Sequence, residues 1–275
     1  MTLGELLQVL APTGLADLAF PQALLGAFRR KSITFCSGLT DETTQVYWFQ
    51  SASFAIDLRL TDGAATPVAD RQGWIGDTHW DAQGSELSWT VGYSYQPQNQ
   101  WPEPARLAFI GNSVIEFAPS GAYVEDWRQL ATSGPLLGLR LAAMTDTASG
   151  QYCAADGGLI VAGDHIAFVL SRPPHLQDDR ESFETSLAIG GRTVTHSTQG
   201  ARYGQAIVPD SFELAPDGSV LLTLSAHGTD WHLRFSVDAF LPDFAFCNTS
   251  PATAAAHAWM ERESAHLTRN ATRVV

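Results

Sequence analysis

The stretch Gly121 to Leu130, GAYVEDWRQL, sets a carboxylate between two aromatic residues at alternate positions. In an extended chain successive side chains point to opposite faces, so Tyr123, Glu125 and Trp127 share one face while Val124 and Asp126 share the other. A carboxyl held among aromatic rings has its pKa raised by desolvation, which suits it to give or take a proton near neutrality. Glu125 is therefore the candidate general acid or base, with Tyr123 as its assisting hydroxyl. His79, beside Trp80 in GDTHW, is the third candidate for proton transfer, because an imidazole titrates close to working pH. The competing reading pairs Glu125 with Arg59 or Arg128, since structural ion pairs also perturb carboxylates.

A second stretch, Thr44 to Leu60 (TQVYWFQSASFAIDLRL), supplies the partners for such chemistry. Trp48 and Gln50 lie two apart on one face, an arrangement that stacks a flat ligand and hydrogen-bonds its edge. Asp57 and Arg59 likewise share a face and can reach a cross-strand carboxylate such as Glu116 or Glu125. Trp48, Gln50, Arg59, Glu116 and Trp127 thus form the candidate ligand-binding set. Apolar walls around a few convergent polar groups suit an apolar or aromatic small molecule. The alternative for Trp48 and Gln50 is a filled core with a satisfied amide.

These residues need strands to hold them. About thirty residues of helical and turn character open the chain, ending at Arg29-Arg30-Lys31; Thr2 and Glu5 read as a capping box for a helix from Leu3 to Leu10. From Ser32 the pattern predicts strands at Ser32–Cys36, Gln45–Phe49, Phe54–Leu60, Gly73–Trp80, Glu86–Tyr95, Arg106–Phe117 and Ala122–Arg128. Ser133-Gly134-Pro135 is a boundary, because its residues favour turns. Strands resume at Leu137–Met144, Gly158–Ala162, His165–Leu170, Ser182–Ile189, Val220–Ser225 and Trp231–Val237, with shorter ones between. The turn Pro216-Asp217-Gly218 favours antiparallel pairing. An alanine-rich segment from Ala252 to Thr268 predicts a helix, placing Ala256, Met260 and Ser264 on one side to dock on a barrel face. The division is a helical segment over 1–31, β-domains over 32–133 and 134–245, and a terminal helix and tail over 246–275.

Composition removes several classes of function. Of 275 residues, 16 are basic and 29 acidic, a net charge of −13 that repels phosphate backbones and anionic membrane surfaces, so nucleic acid is not an expected partner. Three widely separated cysteines, Cys36, Cys153 and Cys247, predict neither a disulfide framework nor a thiolate zinc site; Cys36 and Cys153 read as small core hydrophobes. With no charged leader before an apolar run and no long apolar stretch, a cytoplasmic protein without a membrane span is expected. Asn248-Thr-Ser and Asn270-Ala-Thr match the glycosylation pattern by chance on that reading. GxGxxG, GxSxG and HExxH are all missing, so no dinucleotide, serine elbow or metal is predicted, and no cofactor. A homodimer stays open.

The series TQVYWFQSASFAIDLRL, GWIGDTHW, GAYVEDWRQL and GGLIVAGDHIAFVLSRP resembles two-domain lipocalin-like (calycin) proteins of bacteria and fungi, of the Hri type, over about residues 30 to 200. A more distant architectural resemblance is to the tandem lipocalin-like fold of the carotenoid hydratase and AttH families. These resemblances imply an all-β fold of two consecutive antiparallel lipocalin-like β-barrels with short N-terminal and C-terminal helices. The expected function is cofactor-independent acid/base chemistry on a molecule held in the first barrel: hydration or dehydration, isomerisation or cyclisation. A noncatalytic carrier or sensor, or an interaction module with a filled barrel, is the alternative.

Overall fold

The computed structural model describes residues 1–96 and 103–269; Asn270, the second asparagine of the glycosylation pattern, lies outside the described residues. The chain is mostly β. Its first sheet contains β1 (Gly26–Phe35), β2 (Thr40–Asp41), β3 (Gln45–Gln50), β4 (Phe54–Leu60), β5 (Gln72–Asp81), β6 (Glu86–Ser94), β7 (Ala105–Ile110), β8 (Ser113–Phe117) and β9 (Tyr123–Gln129). Every neighbour is antiparallel, and β9 returns to pair with β1. β1 and β3 to β9 therefore form a closed eight-stranded barrel, with β2 as a short extra strand on β1. Closure joins the first and last long strands of the sheet, with the β6–β7 ladder the shortest of the ring, at two residue pairs.

β1 starts at Gly26, within the opening segment the sequence assigns to helix and turn, so Arg29, Arg30 and Lys31 belong to the barrel wall. The β1–β9 register runs Arg30↔Trp127 and then Ser32↔Asp126, which makes Lys31 the extra residue of a bulge. The bulge lets both Arg30 and Ile33 bury, although they are three positions apart. The single strand expected over Arg106–Phe117 is a hairpin, β7 and β8, turning at Gly111 with φ +57°.

The second sheet runs β15 (His196–Ser197), β14 (Glu184–Ala188), β13 (His165–Leu170), β12 (Gly157–Ala162), β10 (Ser133–Asp146), β18 (Thr229–Ala245), β17 (Val220–Ala226) and β16 (Phe212–Leu214), with β11 (Tyr152–Cys153) on β10. Among the described residues no ladder joins β15 to β16. A second closed barrel is thus not formed by hydrogen bonding; the sheet stays open. Three register shifts bend the long β10–β18 pair.

β12 and β13 are buried along their whole length because the sheet is covered on both faces. Ile160, Ala162, Ala167 and Val169 pack with the barrel residues Phe54, Ile56 and Leu58 in one apolar cluster. Leu159, Val161, Ile166 and Phe168 enter another, closed by the helix α1 (Leu3–Val9) through Leu3 and Leu6. The two sheets come close together at Gly138, where an added Cβ would lie 1.8 Å from Ser51 Oγ. There Asp238 of β18 accepts from the Ser51 hydroxyl (2.5 Å), the Ser53 N–H (3.0 Å) and the Ser53 hydroxyl.

The ends of the described chain cross over. α1, with its capping box of Thr2 and Glu5, serves the second sheet: the Met1 ammonium donates to the Phe212 carbonyl and the Phe212 N–H to the Met1 carbonyl. Phe244 and Phe246 serve the barrel instead, and Asn248 donates its N–H to the Asn112 side chain at 2.6 Å. The helix α2 (Ala254–Thr268) does not dock on a barrel face as its spacing predicts. Trp259 and Met260 are exposed, being adjacent rather than three or four apart, so no apolar stripe forms. No described helix is long and apolar enough to cross a membrane.

Candidate functional site

Alternation along β9 sends Tyr123, Glu125 and Trp127 into the barrel, where they meet Trp48 from β3, Asp57 and Arg59 from β4, Trp74 from β5, Trp89 from β6 and Glu116 from β8. These side chains, with Ser88 and Glu103, line a cavity of about 630 Å³ of empty space counted to its open mouth.

Its walls are aromatic and interlocked. Trp48 stacks on Phe28 at 4.8 Å and receives Trp89 and Trp127 edge-to-face at 5.8 and 5.9 Å, while Trp74 tilts against Trp89 at 5.6 Å. Edge-to-face pairs of this kind hold ring orientation as well as area. The Trp48 N–H is already used, donating to Gln50 Oε1 at 3.1 Å. Nε2 of Gln50 in turn donates to the Ser51 and Phe54 carbonyls and the Thr78 hydroxyl. Gln50 is therefore fully buried and paired behind the cavity, not on its lining, as the satisfied-amide reading anticipates. By contrast, the Trp74 and Trp89 indole N–H groups are buried and have no hydrogen-bond partner among the described residues.

The charged layer lies at the base of these rings. Arg59 donates to both oxygens of Asp57 within one strand, at 2.8 and 3.3 Å, and the Glu125 and Glu116 charges across the strands act on it as well. Glu125 accepts from Arg30 at 2.7 Å, and Arg30 continues to Asp41 at 3.3 Å. Neither of the partners expected for Glu125 takes that place: Arg128 pairs with Asp126 on the other face. The indole N–H of Trp127 divides its bond between Glu116 (3.0 Å) and Glu125 (3.1 Å), which stand opposite one another in the β8–β9 register. No ion pair reaches Glu116 among the described residues.

Burial, and then the neighbouring Glu125 charge, push the Glu116 carboxyl well above the ordinary carboxylate range. Burial likewise raises Asp57 against the pull of Arg59, and it raises the Tyr123 phenol, with the Glu116 and Glu125 charges adding to the effect. At Asp41 burial is outweighed by hydrogen bonds from Thr43 and Thr44, which hold that carboxylate low. The carboxyl poised to carry a proton is thus Glu116, assigned from sequence to ligand contact, whereas Glu125 carries the arginine.

His79 is not part of the site. It occupies the parity of β5 opposite to Trp74, is exposed on the barrel wall, and bonds the Thr90 hydroxyl at 2.8 Å. Cys36 is also exposed, just beyond the end of β1, and not the core residue expected; Cys153 is buried. Sequence reasoning missed Arg30, Asp41, Trp74, Trp89 and Glu103. For Arg30 the available signal was its alternation with buried Phe28; for Trp74, its spacing from Gly76 and Thr78 within one strand. A further hollow of about 550 Å³ lies on the far side of the arginines, lined by Arg30, Asp41, Thr44, Asp70 and Gln72, with Arg59 common to both. Among the described residues no group of three or more His, Cys, Asp or Glu side chains converges as a metal site. Set against known protein families, curated proteins and solved structures, the chain matches none of them.

Proposed function

We propose that the first barrel binds an apolar or aromatic small molecule and promotes acid/base chemistry on it without a cofactor, of the hydration, isomerisation or cyclisation type. The observation that carries this reading is the pair Glu116 and Glu125 sharing one indole N–H inside a tryptophan-walled cavity. Two carboxyls with different environments have separated proton affinities, which is the arrangement general acid/base catalysis uses. Glu116 gives or takes the proton. Arg30 fixes Glu125, and Tyr123 stands beside both on the substrate side. The closed eight-stranded barrel supports the lipocalin-like reading of the first half, and the bent β10–β18 pair is compatible with a second, opened calycin-like unit.

Glu116→Gln is the informative variant, because glutamine imitates the protonated carboxyl and leaves the Arg30–Glu125 pair intact. A panel of aromatic and apolar metabolites titrated against tryptophan fluorescence, with product analysis by mass spectrometry, tests the reading. Saturable binding by both proteins with turnover only in the wild type is expected. Binding without turnover in either protein identifies a carrier or sensor using the same cavity, and no binding at all removes the site.

A further inference from the structure

We infer that the first barrel takes a cationic ligand, a protonated amine or quaternary ammonium group carried on an aromatic or aliphatic body with a hydrogen-bond acceptor. The inference rests on the cavity being a ligand site, as proposed above, and adds the chemical class of its occupant.

The first argument is the wall. Trp48, Trp74, Trp89, Trp127 and Tyr123 surround one space, and the negative faces of such rings attract a cation, tryptophan most strongly. The second is the imbalance of charge. Asp57, Glu103, Glu116 and Glu125 line the cavity, while among the described residues the guanidiniums at its base are Arg59 on the lining and Arg30 behind Glu125. Arg59 is engaged by both oxygens of Asp57, and Arg30 by Glu125 and Asp41. Glu116 receives an indole N–H and no cation, and Glu103 is held near the mouth by the Ser120 N–H and hydroxyl. A ligand cation supplies the countercharge this set lacks; an anion meets carboxylates and arginines that are already bound. The third observation is independent of charge. Trp74 is 4% exposed and its N–H has no partner, as is true of the Trp89 N–H, so an acceptor atom on the ligand body completes the lining.

The groups facing Glu116 set a pH dependence. They are Arg30 on β1 with Asp41 behind it, Asp57 and Arg59 on β4, Glu103 before β7, and Tyr123 and Glu125 on β9. In the empty cavity burial and Glu125 favour a proton on Glu116. An arriving cation favours the carboxylate, so the proton leaves to solvent and binding tightens as pH rises. The ionised Glu116 is then the base of the complex.

The test compares two isosteres, 3-methoxyphenyltrimethylammonium and uncharged 3-tert-butylanisole, by isothermal titration on the wild-type chain from pH 5.5 to 8.5. Their shapes and ether acceptors match, neither titrates in this range, and only the charge differs. The cation is expected to bind at least about tenfold tighter at the alkaline end. Its affinity is expected to rise by up to about tenfold per pH unit with proton release, while the neutral isostere stays flat. Glu116→Gln, checked for folding by circular dichroism, is expected to remove that slope and most of the preference. Equal or tighter binding of the neutral isostere overturns the cation assignment and leaves the pocket standing. Failure of both probes to bind overturns the pocket and the assignment together.

Discussion

Glu116 and Glu125 stand directly opposite across the β8–β9 ladder and both accept from the one indole N–H of Trp127. Two buried carboxyls with a single neutral donor between them form a strained electrostatic unit unless one carries a proton. Trp127→Phe keeps a ring and removes that donor. The expected loss of stability is about 1 to 3 kcal/mol at pH 7. Urea unfolding at pH 7 checks this; a variant within about 0.5 kcal/mol of wild type shows that the shared donor carries no weight in stability.

His196 of β15 sits against Tyr47 of β3, with Nε2 3.3 Å from the Tyr47 hydroxyl and Nδ1 2.9 Å from that of Thr195. Burial, with the nearby Arg29 charge, lowers its pKa from 6.5 to about 4. The unfolded chain therefore binds this proton more readily than the folded one. The contribution is complete above pH 6.5 and lost as pH falls toward 4, a difference on the order of 3 kcal/mol. His196→Gln is expected to flatten the acid side of the stability profile over that window. An unchanged slope in thermal melts between pH 4 and 6.5 would show that other groups govern it.

Gly138 is where a β10 backbone passes under the Ser51 hydroxyl of the barrel. Gly138→Ala forces a displacement of the Ser51–Asp238 contact, because the new Cβ meets Ser51 Oγ and Cβ and Asp238 Oδ2. About 2 kcal/mol or more is expected to be lost, within the range for overpacking a close contact. If chemical denaturation shows the alanine variant within 0.5 kcal/mol of wild type, a limit typical of neutral surface changes, the two sheets slide past each other freely at this point.

Arg172, just after β13, donates to the carbonyls of Ser94, Tyr95, Asp179 and Arg180 and lies over the rings of Tyr95 and Phe183. Lysine has neither the planar fork nor enough donors to keep these partners. Arg172→Lys is expected to cost about 2 to 4 kcal/mol and to loosen the junction of β6 with the 173–183 segment. Hydrogen exchange at Phe183 and Thr185 reports that loosening directly; full protection there in the lysine variant contradicts it.

The shared inward face of Tyr123, Glu125 and Trp127 was legible because a period of two needs only local sequence. The same rule, counted from Trp74, places His79 outside the barrel, although its imidazole chemistry alone marks it for proton transfer. Arg30 was hidden for a different reason. Its carboxylate partner is 95 positions away, and the Lys31 bulge breaks the alternation that would have shown Arg30 and Ile33 facing inward together. The role of Glu116 was visible only as a ligand contact, since its raised proton affinity comes from burial in the closed barrel and then from Glu125 across a hairpin register that sequence does not fix. Antiparallel β architecture was readable from turns and strand patterns, whereas closure of one sheet and not the other depends on pairing between distant edges.

The crossing of the two chain ends has a consequence for synthesis. During vectorial translation the β1–β9 ladder can close as soon as Gln129 emerges, yet Phe244, Phe246 and Asn248, which cover the barrel beside Asn112, are made more than a hundred codons later. Conversely α1 is waiting long before Phe212 arrives to receive it. Each half is finished by the segment farthest from it in time, so a nascent chain holds two incomplete apolar surfaces until its last strand is released.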